Sequence, residues 1–173
     1  MLMWMLLALS QAQAEKCYPK NIDRPMYSGG RLELKYISRE QAVRDEQEKA
    51  KRELREPVPP EAMPPGGFLL VTIEGQTLKH AKPSNYVWAV FDAEGDIIAR
   101  EDGQDRGIPR PAPGASTFWL DVMSGSVPAS IETWPVEIHV IDKLRQAKCV
   151  WSVAQDSSTT IVKWWKKPKK KKK

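Results

Sequence analysis

From Phe68 onward, apolar residues recur at every second position, in short runs rich in β-branched and aromatic side chains. That period sends alternate side chains to opposite faces of an extended strand. It predicts strands at 68–74, 86–92, 96–101, 117–123, 135–142, 148–153 and 158–165. Ala93, Glu94 and Gly95 join the second and third of these as a hairpin, with glycine available for a left-handed position. A polar turn at 142–147 joins the fifth and sixth, and no helix-length pattern interrupts the series. The expected fold is all-β, an antiparallel immunoglobulin-like or fibronectin-like β-sandwich spanning 68–162. Trp88, Trp119 and Trp151 fall inside strands and are expected in the core or on a sheet face.

Ahead of Phe68 the pattern changes. Residues 31–37 alternate, with Leu32, Leu34 and Tyr36 on one face of a short strand. Ser38 and Gln41 then stand at capping-box spacing, which predicts a helix over 39–56. Glu40 with Arg44, Asp45 with Lys49 and Glu48 with Arg52 are four residues apart in the favourable order. Its apolar stripe is thin, mainly Val43, Ala50 and Leu54, so the helix is expected to be solvated and to act as a spacer. Five prolines and two glycines in 57–67 end it and form a semi-rigid linker. The domain expectation is therefore a charged N-terminal extension at 15–56, a Pro/Gly linker at 57–67, and the sandwich after it.

Charge and hydropathy at the two ends change the picture. Residues 1–14 (MLMWMLLALSQAQA) join an apolar run to Ala12 and Ala14 at the small positions of a cleavage site, as in a secretory signal peptide. The run is too short to span a bilayer, which takes about 20 apolar residues, so no transmembrane helix is expected in the mature chain. Residues 163–173 carry eight lysines and no acid; removing that charge from a chain total of +5 leaves residues 1–162 at −3. The basicity thus belongs to Lys163, Lys166, Lys167, Lys169, Lys170, Lys171, Lys172 and Lys173, with Trp164 and Trp165 at the root of the run. Such a segment tethers a mildly acidic body to an anionic surface, and the attraction is screened by salt. With a signal-like start, the expected location is periplasmic or extracellular. The expected partners are an anionic envelope polymer or lipid, and an envelope protein assembly. Nucleic acid ranks low, because no base-reading or stacking module accompanies the lysines.

Candidate chemistry is sparse. Cys17 and Cys149 belong to no C-x-x-C pair, and in an oxidising compartment two such cysteines are expected to form one disulfide. His80 and His139 have no second ligand at zinc spacing, and Ser124, Ser126 and Ser130 lack a G-x-S-x-G elbow. Asp92, Glu94, Asp96, Glu101, Asp102 and Asp105 supply oxygens of the kind calcium takes, without the EF-hand loop spacing. The expectation is a protein without catalytic residues, cofactor or metal. The alternatives are a carbohydrate-binding module, with Trp134 as the stacking platform, and a small hydrolase whose site is not legible in the sequence.

Overall fold

The computed structural model describes residues 18–19, 30–114, 117–155 and 159–164, with side chains described at 30–114 and 117–155. The signal-like residues 1–14, Cys17 and residues 165–173 lie outside the described residues.

Where the sequence alternates, the chain is extended and pairs antiparallel. The strands are β1 (Tyr18–Pro19), β2 (Arg31–Ile37), β3 (Phe68–Gly75), β4 (Tyr86–Phe91), β5 (Ile97–Asp102), β6 (Arg110–Pro111), β7 (Trp119–Ser126), β8 (Val136–Asp142), β9 (Ala147–Val153) and β10 (Thr159–Trp164). They form two sheets, in the orders β1-β9-β8-β4-β5 and β10-β2-β3-β7-β6. Each sheet has four longer strands and a two-residue strand at one edge. The fold is a β-sandwich. Alternate residues of both sheets meet between them: Leu32, Leu34, Leu69, Val71, Ile73 and Met123 from one, Trp88, Val90, Ile138, Val140, Cys149 and Trp151 from the other. All are nearly inaccessible to water, and burying a side chain of this size stabilises by about 1.5–3 kcal/mol.

Two departures from the sequence reading concern the chain before Phe68. First, β2 is an interior strand, paired with β10 on one side and β3 on the other. The second sheet therefore begins at Arg31, and the helix with its proline-rich stretch is a connection inside the sandwich. The linker composition marks a long excursion of the chain, which local pattern does not distinguish from a boundary. Second, the helix α1 (Arg39–Glu53) is shorter than expected. Leu54 turns left-handed at φ 53°, and the amides of Leu54 and Arg55 return to the carbonyls of Lys51 and Ala50. This is a Schellman-type stop. At its start the Ser38 hydroxyl accepts from the Gln41 amide at 3.2 Å, as the cap predicts.

The three anticipated pairs along α1 do not close to ion pairs. Among the described residues Gln41 instead bonds Asp45 and Arg44, and Lys49 reaches Glu53 at 4.0 Å. Solvated side chains gain little from pairing, so small local preferences decide their partners. The helix is held by the chain that follows it. Arg55 forks onto Glu46, the Val58 amide donates to the same carboxylate, and Arg39 donates to the Pro60 carbonyl. Helix and proline-rich return form one arm.

A second short helix, α2 (Leu78–Ala81), closes the end of the sandwich beside β3 and β7. Thr77 caps it, and Gly75 lets it approach, since a Cβ there would lie 2.7 Å from that of His80.

Candidate functional site

Three places hold the residues singled out above, and the fold adds a fourth. The first is the root of the lysine run. β10 lies on β2 with Lys163 opposite Leu32 and Trp164 opposite Arg31, so the strand extends through the first two residues assigned to the anionic-surface segment. Beside it Arg31 bonds Glu74 at 2.9 Å. The other assigned residues, Trp165 to Lys173, lie outside the described residues.

The second is the set of acidic residues. Asp92 caps the β4–β5 hairpin by accepting from the Asp96 amide at 2.8 Å, and Glu94 accepts from Thr133. Asp102 pairs with Lys143 at 3.0 Å, while Asp105 accepts from both the amide and the hydroxyl of Ser84. Each of these four carboxylates is occupied locally, and among the described residues no three His, Cys, Asp or Glu side chains converge as metal ligands.

The third is the histidines and tryptophans. His139 sits on the outer face of the first sheet, 2.9 Å from Glu137 and stacked on Phe91 with ring centres 4.3 Å apart. His80 lies on α2, its Nδ1 2.9 Å from the Thr77 hydroxyl. Burial and the nearby Arg145 push its pKa down from the ordinary 6.5. Ser124 and Ser126 stand on β7, in a groove whose lining contains no histidine. Trp134 is half-buried, packed against the core, and meets Tyr36 edge-on at 6.1 Å. The Tyr36 hydroxyl donates to the Gly66 carbonyl at 2.9 Å, and desolvation raises its pKa to about 12.

The fourth place was not legible beforehand. Asp142, Arg145 and Tyr86 interlock beneath α2. Asp142 accepts from the amides of Leu144 and Arg145 and pairs with the Arg145 guanidinium. Arg145 also donates to the Tyr86 hydroxyl at 3.2 Å, and that hydroxyl donates to the His80 carbonyl at 2.7 Å. Asp142 is fully buried and Arg145 nearly so. Burial drives the Tyr86 pKa upward, so the hydroxyl remains a donor. Every partner here is a structural group, and the cluster locks the end of the fold.

A groove of about 440 Å³ opens at the free side of β7. Ile37, Phe68 and Leu70 give it an apolar side; Glu101, Asp102, Gln104 and Arg106 form the opposite wall. Ser124, Gly125 and Ser126 of β7 complete its lining. A signal for it existed in part, since glycine inside a strand marks a close approach. Here a Cβ on Gly125 would stand 2.2 Å from the Trp88 ring.

No protein-family model, curated protein or solved structure matches the chain. Among the described residues no helix is long and apolar enough to cross a membrane.

Proposed function

We propose that this chain is a non-catalytic binding or scaffolding protein of the cell envelope, periplasmic or secreted, tethered by its lysine run to an anionic polymer or lipid surface. The observation that carries the reading is the confinement of positive charge: eight lysines in 163–173 against −3 over the preceding 162 residues. An edge strand, β10, delivers that run from the sandwich. A lysine near an anionic membrane contributes about 1 kcal/mol, so several acting together give binding that falls steeply with salt.

The finer fold assignment belongs to the same proposal. The grouping of β2, β3 and β7 against β9, β8, β4 and β5 supports an immunoglobulin-like or fibronectin-like reading, as does the burial of Trp88 on β4. A Cys17–Cys149 disulfide fits as well. Tyr18 stands opposite Lys148 and Pro19 opposite Ala147. Lys148, the chain neighbour of Cys149, thus faces Tyr18, the chain neighbour of Cys17. An intact mass unchanged by reduction, with two alkylatable thiols in the native protein, would remove the bridge from the proposal.

The test of the tether is co-sedimentation with the cognate envelope fraction across a salt series. A version ending after Trp164, which leaves β10 whole, runs beside the full chain. Binding of the full chain at low salt, release at high salt and failure of the truncation are expected. Equal binding of both versions at high salt would transfer recognition to the folded body.

A further inference from the structure

The free side of β7 is a built seat for another strand. β6 pairs with β7 only at Trp119 and Leu120, and the Ala112 amide bonds the Phe118 carbonyl. Antiparallel pairing alternates, so the backbone groups of Val122, Ser124 and Ser126 face the same side as those of Phe118 and Leu120. Asp121 takes the Val122 amide with its own carboxylate at 2.8 Å, blunting the edge at that point. Beyond it, no described strand pairs with β7 at Ser124 and Ser126, and the 440 Å³ groove opens there. A second observation lies beneath. The Trp88 Nε1 is buried without a hydrogen-bond partner among the described residues, 2.8 Å from where a Cβ on Gly125 would stand.

We propose that this groove binds an extended segment of a partner protein as an added β-strand in line with β6, with an apolar–basic–apolar sequence at its centre. The register dictates that pattern. Residues of the added strand opposite Ser124 and Ser126 share the outer face with Leu70 and Phe68, their partners on β3. The residue between them, opposite Gly125, shares the inner face. Glu101 is on that face too, because it pairs with the core residue Trp88. Glu101 is exposed and has no ion-pair partner among the described residues, whereas Asp102 is taken by Lys143. A single base in the segment therefore has an acid to meet. Arg106 on the same wall disfavours a run of bases, which excludes a lysine run as occupant. Main-chain bonds supply affinity in such complexes and alternate side chains supply specificity. The proposal deepens the binding role above and makes no use of the lysine run, so loss of envelope co-sedimentation leaves it standing.

The probe is a displayed library of random twelve-residue peptides panned on the full chain, with selected peptides resynthesised. Enrichment of alternating sequences with one central base is expected. Amide exchange at Ser124 and Ser126, fast in the free protein, should slow on peptide addition. Ser124→Pro removes an edge amide and should weaken binding about five- to tenfold, the effect of one hydrogen bond. Glu101→Arg, at an exposed side chain that leaves the core intact, should weaken it about tenfold. Failure to enrich any peptide would overturn the proposal, as would selected peptides indifferent to both variants. Sedimentation showing self-association through Ser124 and Ser126 would overturn it in favour of a second copy of this chain.

Discussion

Two arginine–carboxylate pairs, Arg145–Asp142 and Arg55–Glu46, hold two parts of this molecule, and they differ in almost everything but chemistry. Arg145 and Asp142 lie at the end of the sandwich with side chains 2% and 0% exposed, and share their site with Tyr86. Arg55 and Glu46 clamp the return chain onto α1 in contact with water. In the interior neither charge has an alternative to its partner, so the pair specifies one geometry for the β8–β9 turn, Tyr86 and α2. On the arm, water competes for both groups at every moment. The same bond is thus a lock in one place and a clasp in the other.

The largest expected effect comes from breaking the lock. Arg145→Ala leaves the Asp142 carboxylate buried and uncompensated and should cost about 3–5 kcal/mol, read by urea unfolding. A double variant, Asp142→Asn with Arg145→Met, removes both charges while keeping an acceptor for the turn amides. It should recover part of that loss; a double variant worse than Arg145→Ala would refute the account of the stranded charge. Tyr86→Phe should cost about 1–1.5 kcal/mol, since it withdraws the donor to the His80 carbonyl and an acceptor from Arg145.

A smaller effect concerns pH. His80 has a pKa below 6.5 because burial disfavours its charged form and Arg145 repels it, against the opposing pull of Asp142 and a further repulsion from Lys79. The unfolded chain therefore binds a proton that the folded chain resists. Stability should fall as pH drops below about 6.5 and level off below the folded value. His80→Gln should flatten that limb in unfolding measured over the same range, and an unchanged slope would assign it to other groups.

The clasp gives the smallest change. Hydrogen bonds from Arg55 and the Val58 amide hold the Glu46 pKa at about 2, against 4.5 ordinarily. Its contribution is present above 4.5 and lost as pH falls through the folded value. NMR titration should show Glu46 at about 2 in the parent and a return toward 4.5 in Arg55→Ala, with little change in global stability near neutral pH. A global loss rivalling that of Arg145→Ala would abolish the contrast between the two regions.

How much of this was legible in the sequence follows how far apart the partners stand in the chain. The strand periods, the Ser38 cap and the 93–95 hairpin arise from contacts within a few residues, and they were legible as residue pattern. Arg145 and Tyr86 are 59 residues apart, and no local signal announces their meeting. The twelve charged residues in 39–56 would be an unhelpful guide too, because solvated pairs such as Glu40 and Arg44 have no reason to choose each other.

What the sequence by itself determined is the alternation that makes strands with one buried face, the turns between them, and the separation of a lysine run from an acidic body. Each depends on residue type at short spacing. Only the tertiary structure decided that β2 lies between β10 and β3, that Trp88 passes beneath Gly125, and that β7 keeps a free side next to Glu101. Those are matters of which strand pairs with which across long stretches of chain. The free energy that settles them belongs to the packed core as a whole, since a strand's own residues stabilise many pairings equally until the opposite sheet is in place.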